Sequence, residues 1–209
     1  MIRVMIADDH AVVRRGLIQI LSEESDMQIA VEANSGDDVL KHIRSDNWDV
    51  AILDIAMPGK NILELIKLAK LNNPAKPILI LSMYPEEEYA LRMIRAGADG
   101  YLTKESAPEQ LVLVIRKLIK GHKYISAELS EILLHNVLDD KSNLHDSLTD
   151  REFQVFMALA KGKRLTEIAT DMALSIKTIS TYRTRLLDKL HLKTNADIVH
   201  YAIEYKLED

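Results

Sequence analysis

Four short apolar runs in this chain each lead into polar residues that could do phosphoryl or metal chemistry. Arg3 to Ala7 runs into Asp8-Asp9, Val50 to Leu53 into Asp54, and Pro77 to Leu81 into Ser82. Asp99 to Leu102 is followed by Thr103 and then Lys104. After Asp54 comes Ile55-Ala56-Met57-Pro58-Gly59, where Pro58 and Gly59 bring turn chemistry. A carboxylate at such a strand end can be a nucleophile, a metal ligand or a simple loop cap. Three carboxylates gathered in one crevice repel one another and need a counter-cation. An all-oxygen donor set of that kind suits Mg²⁺, which tolerates one or two carboxylates and keeps several waters. A lysine and a hydroxyl beside it would suit a phosphoryl group carried on Asp54, with transfer assisted by positioning and charge neutralisation. Singly, strand-end Asp and Ser are ordinary turn residues. Four such ends in strand order are harder to assign to turn chemistry.

These side chains meet only if the runs lie parallel in one sheet. The segments between them have helical spacing: His10 to Ser22, Asp38 to Ser45, Ile62 to Leu71, Glu86 to Arg95, and Leu111 to Ile119 with Pro108 in its first turn. Gln28 to Glu32 adds a further strand. Five strands alternating with five helices predict an α/β doubly wound, parallel five-stranded sheet, whose carboxyl edge collects the polar groups. Gly121 stops the last helix, so this domain spans 1–121.

Composition narrows the classes. The 209 residues carry no cysteine, which excludes disulfides and thiolate metal sites and fits a reducing cytoplasm. Met1-Ile2-Arg3-Val4 runs directly into a strand, not a signal peptide. No apolar run approaches about 18 residues, so no membrane span is expected. The net charge of −5 conceals a basic stretch. Between 161 and 193, eight basic residues (Lys161, Lys163, Arg164, Lys177, Arg183, Arg185, Lys189, Lys193) face three acidic ones (Glu167, Asp171, Asp188). That surplus suggests a polyanionic partner, with a solvated helix face as the alternative.

Residues 122–144 read as a linker, with a helix-like stretch from Ser126 and a polar tract at Asp139 to Asn143. From 145 to 209 the spacing predicts an all-α four-helix domain. Thr149 and Glu152 form a capping box for the first helix, which Gly162 ends. Thr166 to Met172 is the second helix, Ile176 to Leu190 the third with Ser175 as its cap, and Ala196 to Tyr205 the fourth. The tight join between second and third is a helix-turn-helix pattern. On the third helix, Ile179, Tyr182, Leu186 and Leu190 form an inward stripe, whereas Lys177, Ser180, Thr181, Thr184, Arg185 and Asp188 point away. Small hydroxyls and cations there fit major-groove reading with phosphate anchoring, to which Lys163, Arg164 and Lys193 would add.

Through Asp8-Asp9-His10, Asp54…Met57-Pro58-Gly59, Leu81-Ser82, Ala96 to Lys104 and Pro108 to Leu111, the first domain resembles the receiver of bacterial two-component response regulators. Through Leu148 to Glu152, Glu167-Ile168-Ala169, Leu174-Ser175, Lys177 to Tyr182 and Lys189-Leu190, the second resembles the LuxR/NarL/FixJ DNA-binding domain. The resemblance implies a flavodoxin-like receiver with Asp54 as phosphoryl acceptor and Mg²⁺ held by Asp8, Asp9 and Asp54. It implies Ser82 and Tyr101 as switch residues and Lys104 as the phosphate-pairing lysine. In the second domain it adds Thr178 to the DNA-contacting residues and makes Glu152 a structural brace. The expected partners are a sensor histidine kinase and double-stranded DNA, bound as a homodimer; no membrane and no enzymatic turnover are expected. Two rivals are a constitutive DNA-binding regulator whose receiver is not phosphorylated, and a phosphotransfer enzyme using Asp54 as nucleophile. One departure stands out. Ile62 replaces a glycine usual in the family, and a β-branched residue would be strained if that position required φ > 0.

Overall fold

Continuous apolar runs, as opposed to alternating ones, belong to strands covered on both faces, and the computed structural model places them so. It describes residues 1–45, 47–126, 144–205 and 207. The chain divides into two compact units, Met1–Asp140 and Lys141–Asp209. In the first, strands β1 (Ile2–Ala7), β2 (Met27–Ala33), β3 (Val50–Asp54), β4 (Ile78–Ser82) and β5 (Gly100–Thr103) form one sheet. They alternate with helices α1 (Ala11–Ser22), α2 (Gly36–His42), α3 (Ile62–Asn72), α4 (Glu86–Ala96) and α5 (Ala107–Ile119). Every pairing is parallel, in the order β2-β1-β3-β4-β5. Val4, Ile6, Val50, Ile52, Leu79 and Leu81 project from one face into a core shared with Leu17 and Leu21 of α1 and Leu111, Val114 and Ile115 of α5. The alternate residues Met5, Ala51, Leu53 and Ile80 are equally buried, so both faces are covered. Each buried Leu or Ile contributes about 1.5–3 kcal/mol.

Two loops differ from what spacing alone suggests. Helix α2 begins at Gly36, two residues before the expected Asp38, because Ser35 caps it by accepting from the Asp38 amide. Gly36 is fixed by close approach: its amide donates to the Pro58 carbonyl at 2.8 Å. A Cβ there would fall 2.2 Å from the Lys60 carbonyl oxygen. The loop after β3 therefore rests on the start of α2. Ile62 is not strained. It is the buried first residue of α3, outside the positive-φ set, and Asn61 caps that helix by accepting from the Leu63 and Glu64 amides.

Past α5, Gly121 turns the chain (φ 84°) and Tyr124 comes to lie beside β5 in a parallel bridge with Gly100. The Tyr124 amide donates to the Asp99 carbonyl at 2.9 Å, and the Tyr101 amide to the Tyr124 carbonyl at 3.2 Å. Glu86 accepts from the Ser126 amide at 3.0 Å. Most of the linker expected over 122–144, including its helix from 127 onward and its polar tract, lies outside the described residues.

The second unit opens with a 3₁₀ turn (Leu144–Ser147), followed by α6 (Asp150–Ala160), α7 (Leu165–Asp171), α8 (Ile176–Leu190) and α9 (Asn195–Glu204). The Thr149–Glu152 capping box and the Ser175 cap form as expected. Phe153 and Phe156 stack at 5.9 Å, and Phe156 meets the Tyr201 ring edge-on at 6.0 Å. They pack with buried Ile168, Ile179, Leu186, Leu190 and Ile198; Tyr182, expected in the inward stripe, is only half-buried. Ala173, in the turn between α7 and α8, adopts a left-handed φ of 52°. No helix among the described residues is long and apolar enough to cross a membrane.

Glu152 does more than cap. Its buried carboxylate also accepts from Lys189 Nζ at 2.5 Å, bracing α6 against α8. Burial raises its pKa, but Lys189 and the Thr149 amide outweigh burial and hold it below the usual glutamate value. This brace stabilises the unit above the unfolded-state glutamate pKa and is lost as pH falls through the lower folded-state value. Lys189→Met should cost about 2 kcal/mol at neutral pH by leaving the carboxylate buried without its cation. Thermal unfolding of the chain at pH 7 and in acid checks this: the deficit should narrow in acid.

Candidate functional site

The sheet order reverses direction between β1 and β3, the position where open α/β sheets form a crevice at their carboxyl edge. Asp8 and Asp9 follow β1, Asp54 ends β3, Ser82 ends β4, and Lys104 follows β5. The structure thus gathers strand ends that are far apart in sequence. Lys104 Nζ lies 2.8 Å from Asp8 Oδ2 and 2.9 Å from Asp54 Oδ2. All three side chains are nearly sealed from water, at 6%, 1% and 2% exposed. The other Asp8 oxygen accepts from the His10 amide at 2.7 Å, and Asp54 Oδ1 from the Ala56 amide at 3.3 Å. Asp9 is exposed, its carboxylate 2.8 Å from His10 Nδ1.

Burial pushes the Asp54 carboxyl above its ordinary pKa; Lys104 pulls the other way, and Asp8 adds to the rise. Burial also works against the Lys104 charge, yet Asp54 and Asp8 together hold its pKa above the usual lysine value. One ammonium therefore serves two buried carboxylates with a third beside them. Asp8, Asp9, His10 and Asp54 can each offer one ligand atom, all within 4.8 Å of one another. The three carboxylates fit a hard divalent cation such as Mg²⁺. His10 was not singled out from the sequence, although its place directly after two Asp residues was a usable signal.

Ser82 is fully buried; its hydroxyl accepts from the Tyr84 amide at 3.0 Å and its carbonyl from the Lys104 amide at 2.7 Å. A depression of about 380 Å³ lined by Ser82, Met83, Pro85, Glu86, Thr103 and Glu105 opens beside it. Tyr101 is buried too, and its hydroxyl donates to the Tyr84 carbonyl at 2.8 Å. Ser82 and Tyr101 thus hold the same short segment from opposite ends.

On the second unit, α8 exposes Lys177, Ser180, Thr181, Thr184 and Arg185 together, while Ile179, Leu186, Leu187 and Leu190 face inward. The Thr181 hydroxyl donates to the Lys177 carbonyl at 3.0 Å and the Thr184 hydroxyl to the Ser180 carbonyl at 3.1 Å. Thr178 is half-buried and its hydroxyl pairs with the Ser175 cap at 2.8 Å, so it belongs to the helix start more than to the exposed face. Lys163 is exposed but paired with Asp171 at 2.7 Å. The Arg164 amide is held by Glu167 and the Lys193 amide by Asp197, leaving both side chains at the surface.

Comparison with known proteins covers both units. The response regulator receiver domain family matches residues 4–116, and the family of bacterial regulatory proteins of the luxR type matches residues 146–202. The chain is 35% identical to the oxygen regulatory protein NreC of Staphylococcus haemolyticus, over 99% of both chains. It is 32% identical to the response regulator UvrY of Escherichia coli K12, over 99% of this chain and 96% of that one. Among solved structures, RcsB of Salmonella enterica serovar Typhimurium bound to the promoter P1flhDC, in the presence of phosphomimetic BeF3-, is similar. Its TM-score is 0.58 at 27% identity, over 96% of this chain and 97% of that one.

The charge balance at Asp54 has a measurable consequence. Its raised pKa means that folding disfavours the ionised form, a cost absent in acid and fully present above the folded-state pKa. Relative to the wild type, Asp54→Asn should gain stability as pH rises from acid to 7, because that cost is gone. Urea titrations at several pH values check this, and the gain should vanish as pH falls and the wild-type carboxyl protonates.

Proposed function

Because the chain belongs to the two-component response regulators of the LuxR/NarL type, we propose that Asp54 is its phosphoryl acceptor and that phosphorylation there governs DNA binding by the second unit. The observation that carries this reading is the sealed contact of Lys104 with Asp54 and Asp8. An ammonium already seated on the acceptor carboxylate is placed to pair with a phosphoryl oxygen. In the transfer, an Asp54 oxygen attacks phosphorus while the bond to the donor's leaving group breaks, and the departing electron pair stays with the donor. The donor is a sensor histidine kinase or a small phosphodonor. Asp8, Asp9 and Asp54 would hold Mg²⁺, which when bound supplies positive charge against the phosphoryl oxygens.

Ser82 would bond a phosphoryl oxygen, leaving its present contact with the Tyr84 amide, and Tyr101 would follow through Tyr84. The chain divides into receiver (1–121), linker (122–144) and DNA-binding domain (145–209), and it has no catalytic turnover of its own. Two copies of α8 would read a two-fold DNA site as a homodimer in the cytoplasm. Lys177, Arg185, Lys163, Arg164 and Lys193 anchor phosphates, while Ser180, Thr181 and Thr184 reach base edges, with Thr178 at the margin.

Acetyl phosphate labelling with Mg²⁺, followed by DNA binding, tests the reading. Asp54→Ala should abolish labelling, and Asp9→Ala should weaken it. Lys104→Ala and Ser82→Ala should still be labelled but lose the phosphorylation-dependent gain in DNA affinity. Full labelling of Asp54→Ala would remove the acceptor assignment. Unlabelled wild-type protein that binds DNA at full affinity would favour a constitutive regulator. Arg185→Ala should weaken binding to specific and scrambled duplexes alike, lowering the salt slope by about one.

A further inference from the structure

The exposed face of α8 carries two threonines whose hydroxyl hydrogens are already committed. Thr181 donates to the Lys177 carbonyl at 3.0 Å and Thr184 to the Ser180 carbonyl at 3.1 Å, and both residues are exposed. A threonine hydroxyl has one hydrogen and two acceptor lone pairs. With the hydrogen directed back into the helix, each side chain shows solvent an acceptor oxygen and a methyl group. Resting on the DNA-reading role proposed for this helix, we infer that Thr181 and Thr184 act as hydrogen-bond acceptors and methyl contacts only, and so exclude guanine from the bases they face.

The groove chemistry follows directly. Guanine presents only acceptors in the major groove, O6 and N7, against which an acceptor oxygen is repelled. Adenine N6 and cytosine N4 present donors that it can bond, and thymine presents a methyl that packs on the threonine methyl. To bond guanine, the hydroxyl must leave its carbonyl and exchange one hydrogen bond for another, whereas adenine or cytosine adds a bond to the one already made, a difference of roughly fivefold in affinity. The helix geometry extends the argument to a pair of positions. Three residues rise about 4.5 Å along an α-helix, close to the roughly 3.4 Å step between base pairs. With the helix laid along the groove, Thr181 and Thr184 face neighbouring base pairs. An exposed serine or asparagine with an uncommitted donor would impose no such exclusion.

Selection from a randomised duplex library with the full-length phosphorylated chain tests this, using wild type, Thr181→Val, Thr181→Ser and Thr184→Val. The positions read by each threonine are those whose base frequencies change with its substitution. In wild type, guanine should be depleted about fivefold or more at two neighbouring positions. Thr181→Val keeps the methyl and removes the acceptor, so adenine and cytosine should lose favour while thymine gains. Thr181→Ser keeps the acceptor and removes the methyl, so thymine should lose favour instead. Thr184→Val should repeat the valine pattern one position away. A selected motif with guanine enriched at either position, or a profile unmoved by Thr181→Val, overturns the inference and leaves sequence-specific DNA binding standing. Wild-type protein that selects no motif overturns both.

Discussion

Two buried carboxylates share one ammonium at the carboxyl edge of the sheet, and the receiver unit is built around holding them there. Moving each ion out of water costs several kcal/mol, and the pairing repays this only if the geometry is fixed. Side-chain packing could not fix it alone, because Asp8, Asp54 and Lys104 come from three different strand ends. The parallel ladder does so instead: Ala7 lies opposite Leu53, Asp54 opposite Leu81, and Ser82 opposite Thr103. A slip of one residue in any of these registers would turn a side chain of the crevice into the apolar layer. The strongly buried, nearly uniform strands β3 and β4 are thus what makes a charged pocket affordable.

Much of this could be read from the residues. The strand ends were marked by the change from apolar run to Asp, Ser or turn residue, and α8 was delimited by its Ser175 cap and apolar stripe. The roles of the polar groups came from family resemblance, not spacing. What escaped notice has a common physical origin in contacts between distant segments. The start of α2 depends on Gly36 tucked beneath Lys60, a fit that local helix propensity hides because glycine is a poor helix former. Ile62 looked like a liability until Asn61 proved to cap its helix. His10 lies in ligand reach of the acidic pair only because the chain turns over Asp8. Thr178 and Tyr182 fell between the inward and outward faces, where helical angles discriminate least.

In the second unit the basic surplus is unevenly available. Lys189 is taken by Glu152, Lys163 by Asp171, and Arg183 bonds Asn195 at 2.6 Å. Among the described residues Lys177 and Arg185 make no ion pair, and both lie on the exposed face of α8 with the two threonines. Intramolecular pairing thus leaves uncommitted charge on the helix face whose small side chains allow close approach to another surface, with exposed Arg164 and Lys193 outside that helix. Net charge alone would not have located it.

The chain leaving the receiver bears on a different hazard, unwanted association. Strand β5 lies at the outside of the sheet, and an outer strand with open amides and carbonyls is a template on which another molecule can add its own strand. Tyr124 occupies that template at its start by bonding Asp99 and Tyr101, and Gly100 admits it because a Cβ would crowd the Tyr124 carbonyl at 3.1 Å. A side chain at residue 100 would meet both this cover and the Leu79 side chain at 3.1 Å, and one of them would have to give way. Gly100 thus keeps the start of β5 covered by shape alone, with no part in the carboxylate crevice or in α8.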